Sequence, residues 1–212
     1  SPLYREWLRD ANITFVWNTR MNSLLREGRR VVGVAAEELR PRAPRNFRAG
    51  AVVLATGGFQ SNLAMVLEHW PKTLPVPQRL LAGAGRNAEG FGHALAHKAG
   101  AALHNLDHQW NYALGLPDPR DPAGRRGLAS FNPAAIWVNA EGRRFVNEFA
   151  GAKDSLPALL AQKGQTYWSV FDEAGKPSFS VTLAGWNDSR KIQEVIFDNP
   201  ALVKSAPTLE EL

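Results

Sequence analysis

Two glycine clusters and two pairs of histidines are the residues whose types and spacing could do chemistry. The first cluster ends the run AVVLATGGFQSN, in which Ala55, Thr56, Gly57 and Gly58 follow Val52, Val53 and Leu54. Residues with almost no side chain admit positive φ or the close approach of another group. At the end of a buried strand they also mark where an α/β sheet binds ligands. A strand followed by a tight turn is the plainer alternative. The second cluster, LAGAGRNAEGFG, formally matches G-x-G-x-x-A over Gly83-Ala84-Gly85-Arg86-Asn87-Ala88. The preceding PKTLPVPQRLLA is broken by proline and poor in β-branched residues, so the strand that this fingerprint requires is missing. The segment reads better as a helix start, with Asn87 as N-cap, Glu89 in the first turn and Gly100 as the stop. Backbone N–H groups at such a start can hold an anion or a polarised ring edge.

His93 and His97 lie four apart in that helix, and His104 and His108 repeat the interval. Such pairs share a helix face and could ligate zinc. There is no His-Glu-x-x-His, and Asp107 is the one well-placed carboxylate nearby, so ordinary surface or core histidines are expected and no metal site is assigned. Cysteine is absent, which excludes disulfides, thiolate catalysis and iron–sulfur ligation. The net charge of +5 comes mostly from arginine, densest in RPRAPRNFR, Arg40 to Arg48. With its two prolines this stretch is expected to be a solvated loop between strands. Phe47 alone does not supply the aromatics of a nucleic-acid surface, and no nucleic-acid partner is expected. No apolar run approaches membrane-spanning length and nothing resembles a signal peptide, so the cytoplasm is the default location.

The elements that must position these residues follow from periodicity. Ser1 and Pro2 open a helix carrying Leu3, Trp7 and Leu8, which Asn12 ends. Ile13, Phe15 and Trp17 alternate as a strand, Gly28 centres a turn, and Val31, Val32 and Val34 form a second strand. The apolar run at Val52 reads as a buried strand. From Asp107, DHQWNYALGLPDPRDPAGRRGL reads as ordered irregular structure, of the kind that tends to be functional. Ile136 to Val138 is a strand, Glu141-Gly142 a turn, and a second short strand follows. KDSLPALLAQKG is a helix interrupted near Pro157, Tyr167 to Phe171 a further strand, and Thr208 to Glu211 a capping box that opens a helix. At 212 residues and 44% hydrophobic content, the chain can form one large domain or parts of two.

VVLATGGFQSN, the loop into EGFGHALAHKAGAAL, and IWVNAEGRRFVNE occur in an order and at intervals that resemble the flavoprotein family of fumarate reductases, succinate dehydrogenase flavoprotein subunits and 3-ketosteroid dehydrogenases. The resemblance runs from about Ile13 to Phe171. It implies an α/β to α+β fold. Residues 1–108 would be the C-terminal part of an FAD-binding, Rossmann-like domain, and residues 109–212 part of an α+β capping domain. It implies FAD as the cofactor, with the bare backbone of Ala55, Thr56, Gly57 and Gly58 against the dinucleotide. The family's Thr-Gly-Asp-Gly near the flavin corresponds to Asn87, Ala88, Glu89 and Gly90, of which only Gly90 is identical. Arg143 to Glu148 matches a hairpin of the capping domain, which closes over substrate. The family's amino-terminal βαβ unit, whose glycines hold the pyrophosphate, has no counterpart. The expectation is an internal fragment of a protein roughly twice as long, with weak or no flavin binding of its own.

The implied activity is oxidation or reduction of a carbon–carbon bond beside a carbonyl or carboxylate, on an enone, ketosteroid-like or dicarboxylate small molecule. Where fumarate-reducing members carry a glutamine and a histidine, Trp110 and Tyr112 stand here. The proton-donating arginine falls nearest to Lys153, and the arginine before the Ile136 strand is replaced by Phe131. Hydride transfer to or from carbon needs a proton partner at the adjacent carbon. Tyr112 and Lys153 are the candidates, provided their surroundings bring their pKa values down. Arg144, with Arg125 and Arg126, is placed to hold a carboxylate or enolate oxygen. The competing expectation is a flavin-free, non-catalytic scaffold or binding protein. Surfaces left uncovered by a missing part would favour self-association.

Overall fold

The structure, a computed structural model, describes residues 2–83, 85–182 and 188–212. Ser1 and Ala84, which the sequence reading used as an N-cap and in the glycine fingerprint, lie outside the described residues. In chain order the elements are α1 (Pro2–Trp7), β1 (Thr19–Glu27), β2 (Arg30–Leu39), β3 (Arg42–Arg48), α2 (Leu63–Glu68) and α3 (Phe91–Lys98). There follow β4 (Gly115–Pro117), β5 (Gly127–Phe131), β6 (Ile136–Val138), α4 (Gly151–Leu160), β7 (Trp168–Val170), β8 (Ser180–Thr182) and α5 (Ser189–Ile192). They fall into two compact units, the chain up to Thr56 with Phe91–Leu103, and Gly57–Gly90 with His104–Leu212.

The first unit is built on an antiparallel meander in the order β1-β2-β3. Gly28, at φ +58°, allows the two-residue turn that sets Glu27 opposite Arg30. β3 is the stretch expected to be a solvated loop. As an edge strand it tolerates Pro44, whose missing N–H costs no ladder bond on the open side. Its arginines meet carboxylates of the neighbouring strands: Arg45 pairs with Glu38, and Arg48 with Glu27 at 2.5 Å. The expected strand at Ile13–Trp17 is not formed either, since pairing begins only at Thr19. The alternation there serves ring packing instead. Phe15 and Trp17 stack at 5.2 Å, and Tyr4 of α1 stands edge-on to both.

The buried strand expected at Val52–Leu54 is also absent. Among the described residues, the backbone of residues 50–57 makes no hydrogen bond, and Val53 is 90% exposed. A strand exists only through a partner, and no described segment supplies one. α3 ends at Lys98, with the expected Gly100 stop at φ +94° just beyond it. It begins at Phe91 rather than after Asn87, because Gly90 at φ +82° breaks any helical path upstream.

The second unit has two small cores. β4, β5 and β8 form one antiparallel sheet, in which Leu128 and Val181 pack against Ile192 and Ile196. Phe59, Val66 and Trp70, around α2, meet Leu160 of α4 in the other. The interruption expected near Pro157 does not occur: α4 runs through it, and Ala161 N–H still bonds the Pro157 carbonyl at 3.0 Å. β6 and β7 pair as a two-stranded ribbon, with β7 shorter than the Tyr167–Phe171 span read from sequence. The second strand expected after Gly142 reduces to one bridge between Arg144 and Val138. Thr208–Glu211 forms turns, not a helix, as too short a segment to sustain the nucleus. Within the irregular stretch, the Asp121 carboxylate collects the N–H groups of Ala123, Arg125 and Arg126 at 2.8–3.2 Å, and Arg125 then accepts from Ala82 N–H.

Leu128 is 1% exposed, so Leu128→Ala leaves a cavity where β5 meets β8. We expect a loss of about 2–5 kcal/mol in urea unfolding of the chain. A loss below about 1 kcal/mol would mean that this sheet is not a cooperative core.

Candidate functional site

In the second unit the two glycine clusters are laced together by their backbones. Gly90 N–H donates to the Gly58 carbonyl at 3.1 Å, and Ser61 N–H to the Ala88 carbonyl at 2.8 Å. Ser61 Oγ–H bonds the Gly85 carbonyl at 2.5 Å, and Asn62 Nδ2–H reaches the Glu89 carbonyl at 3.4 Å. Asn62 also caps α2, its Oδ1 accepting from Met65 N–H. Gly90 is buried at φ +82°, a backbone conformation that L side chains rarely adopt. A Cβ there would meet Met65 Sδ at 2.7 Å and Phe59 Cβ at 3.0 Å. Gly57 is the opposite case: at φ +77° it has open space where a side chain would project. Asn87 and Glu89 are exposed in the turn before Gly90. The cluster therefore presents bare, accessible backbone beside a fixed turn.

In the first unit, Ala55 and Thr56 are exposed, with their backbone groups unpaired among the described residues. Thr56 fits only because α3 carries Gly92, where a Cβ would fall 1.9 Å from Thr56 Oγ1. The roles of Ser61, Asn62 and Gly92 escaped the sequence reading. Asn62 ahead of LAMVLE was a legible N-cap signal, whereas the Gly92–Thr56 approach has no sequence signature.

The matched hairpin is organised by a buried carboxylate. Glu148, its side chain 3% exposed, accepts from Trp137 N–H at 2.8 Å. Its two oxygens take Arg144 Nε–H at 3.0 Å and Nη2–H at 2.5 Å. Trp137 is itself buried and stacks on Tyr167 at 4.3 Å, and burial pushes the Tyr167 hydroxyl well above its ordinary range. Burial also acts to raise the Glu148 pKa, but the Arg144 guanidinium and the Trp137 N–H outweigh it and hold the carboxyl below its ordinary value. Arg144, Val146 and Asn147 line an open depression of about 410 Å³.

The other catalytic candidates stand apart from this pair. Tyr112 is 58% exposed and stacks on exposed Trp110 at 6.1 Å. Lys153 is exposed in the first turn of α4. Among the described residues no hydrogen bond or ion pair links Tyr112, Lys153 and Arg144. Arg125 contributes backbone groups to the Asp121 loop. Phe131, where the family has an arginine, packs edge-on to Phe149 at 5.7 Å. No described helix is long and apolar enough to cross a membrane, and no group of three or more metal-ligating side chains converges among the described residues.

Comparison with known proteins adds four findings. The family model described as "FAD binding domain" matches residues 2–195. A KsdD-like steroid dehydrogenase of Mycobacterium tuberculosis is 32% identical over 186 residues, covering 78% of this chain and 32% of the relative. The cytochrome-type fumarate reductase of Shewanella frigidimarina is 33% identical over 134 residues, covering 63% of this chain and 22% of the relative. Among solved structures, the open conformation of a flavocytochrome c3 fumarate reductase superposes with a TM-score of 0.53 at 23% identity, covering 80% of this chain and 29% of that one. The chain thus spans about a third of the length of the first curated relatives it matches.

Because the Glu148 carboxyl is lowered on folding, its contribution is complete above its ordinary value of 4.5 and is lost as pH falls below that. We expect Glu148→Gln to lower the unfolding midpoint at pH 7 and to flatten its decline below pH 4.5. Parallel pH curves for the two proteins would show that Glu148 carries no such linkage.

Proposed function

The chain belongs to the FAD-binding-domain family, and from that premise we propose that it is part of a longer FAD-dependent oxidoreductase acting on a carbon–carbon bond beside a carbonyl or carboxylate. FAD is the cofactor of the family, and its relatives named above are a steroid dehydrogenase and a fumarate reductase. The observation that carries the reading is the accessible, side-chain-poor backbone from Ala55 to Gly58, unpaired through Gly57 among the described residues. A dinucleotide needs such a surface, because only a backbone without side chains admits its close approach. Gly57 has open space above it, so these residues fit the group.

In this reading residues 1–108 belong to the FAD-binding domain and residues 109–212 to the capping domain. Ala55, Thr56, Gly57 and Gly58 lie along the cofactor, and Asn87, Glu89 and Gly90 sit near its flavin end. When bound, FAD supplies two-electron exchange with a substrate carbon. The protein's own share is to hold and move charge. Arg144 holds the carbonyl or carboxylate oxygen, so that negative charge gathering there meets fixed donors. Tyr112 or Lys153 gives or takes the proton at the neighbouring carbon. Both are exposed in this chain, so the reading requires that the rest of the protein, or the substrate itself, cover them. The unpaired backbone of residues 50–57 is where a further part of the sheet attaches, and the isolated chain retains flavin weakly or not at all. The same uncovered segment makes self-association its first hazard.

A second reading is a flavin-free scaffold, favoured by the separation of Tyr112 and Lys153 from the Arg144 pair. The full-length protein distinguishes them. It is expected to purify with bound flavin and to reduce or oxidise an enone or dicarboxylate with a dye as electron partner. Gly57→Val, a β-branched residue at φ +77°, is expected to cut its flavin content at least severalfold. Colourless full-length protein, inactive on both substrate classes, would overturn the proposal.

A further inference from the structure

Arg144 and Asn147 both have their acceptor or donor needs partly met, and what remains is instructive. Arg144 meets Glu148 side-on through Nε and Nη2, which leaves Nη1 without a partner among the described residues. Asn147 spends its side-chain oxygen on Phe149 N–H at 3.0 Å and its carbonyl on Ala150 N–H at 2.9 Å. Its Nδ2 donor is likewise unspent. These two residues, with Val146, line the open depression. Glu148 cannot swing away to compete, since Trp137 N–H and burial of its side chain hold it in place.

We infer that Glu148 is a positioning residue for Arg144, and that Arg144 Nη1 and Asn147 Nδ2 together form a subsite for a carboxylate. The chemistry selects that ligand. Both unspent groups are donors, and one is the outward edge of a cation, which favours an anionic acceptor over a neutral ketone. A carboxylate presents two oxygens, and a guanidinium in a fixed orientation recognises a planar anion better than a mobile ammonium would. The Arg144–Glu148 pair is internally neutral, yet its guanidinium edge faces outward, 54% exposed at the side chain, while the carboxylate is covered. An incoming anion therefore meets the positive partner first. Val146 lends the depression an apolar wall on which a short carbon chain can rest. The inference rests on the proposed function only for placing this subsite in catalysis, since anion binding is a property of this chain without flavin.

The probes are succinate and propionate, with neutral dimethyl succinate and sulfate as controls at matched ionic strength. They are titrated into the 212-residue chain and followed by ¹H–¹⁵N NMR. Saturable shifts of the Arg144 Nε–H and the Asn147 side-chain amide are expected with the carboxylates and not with the ester. Asn147→Asp keeps the oxygen that accepts from Phe149 N–H but replaces the donor with a negative charge, so folding is retained and carboxylate affinity falls at least about tenfold. Arg144→Lys, which keeps the charge and loses the fork, weakens binding by a comparable factor. Non-saturable shifts, an equal response to sulfate, or an unchanged affinity in Asn147→Asp would each overturn the subsite. These outcomes are independent of flavin content in the full-length protein, so failure here leaves the oxidoreductase reading to its own test.

Discussion

Gly90 combines a backbone conformation that L side chains rarely adopt with a tight space, and most of what surrounds the first candidate site hangs on that constraint. Its backbone sits at φ +82° between Met65 and Phe59, a conformation and a space that an L side chain would contest together. Because it fits, its N–H reaches Gly58, and the chain from Gly58 to Asn62 lies along the turn from Gly85 to Glu89. Asn62 is then delivered to the start of α2, and α2 contributes Val66 to the core with Trp70 and Leu160. Local geometry, backbone pairing and packing are thus stacked in order on one missing methyl group.

The hairpin around Trp137 obeys a constraint of another kind. A carboxylate taken out of water stays charged only if donors replace the water, and Glu148 has three. One of them, Trp137 N–H, belongs to β6 itself. The side chain of Glu148 takes a bond that a neighbouring strand would otherwise supply, which is why pairing beyond Gly142 shrinks to a single bridge. The irregular loop ordered by Asp121 repeats the device, with carboxylate oxygens gathering backbone N–H groups where no strand is available.

Features encoded by neighbours in the chain were legible in the sequence. The turn at Gly28, the strands at Ile136 and Trp168, the Gly100 stop just beyond α3 and both glycine clusters were all read from local residue types. So was the family, since its motifs are short and ordered. What was illegible depends on distant partners. Val52 to Leu54 have every local mark of a buried strand, but a strand is a pair property and no described segment pairs with them. Arg42 to Arg48 have the marks of a loop, yet Glu38 on the adjacent β2 and Glu27 at the end of β1 make arginines good strand residues there. Exposure of Tyr112 and Lys153, and the Arg144–Glu148 geometry, are tertiary facts with no periodic signal. The site was therefore visible as motifs and invisible as an arrangement.

The bare segment from Gly50 to Gly57 also has a kinetic meaning. Its amide protons have no acceptor among the described residues, so they are expected to exchange at nearly the rate of an unfolded chain while those of Ser61 and Gly90 are protected. In a longer polypeptide, closing this edge is a contact between residues far apart in sequence. It therefore belongs to the slow, late part of folding, after the local hairpins have formed. Until such a closure, Val53, exposed between half-buried Val52 and Leu54, stays open to a passing strand, and chain assembly becomes a race between that closure and pairing with the wrong neighbour.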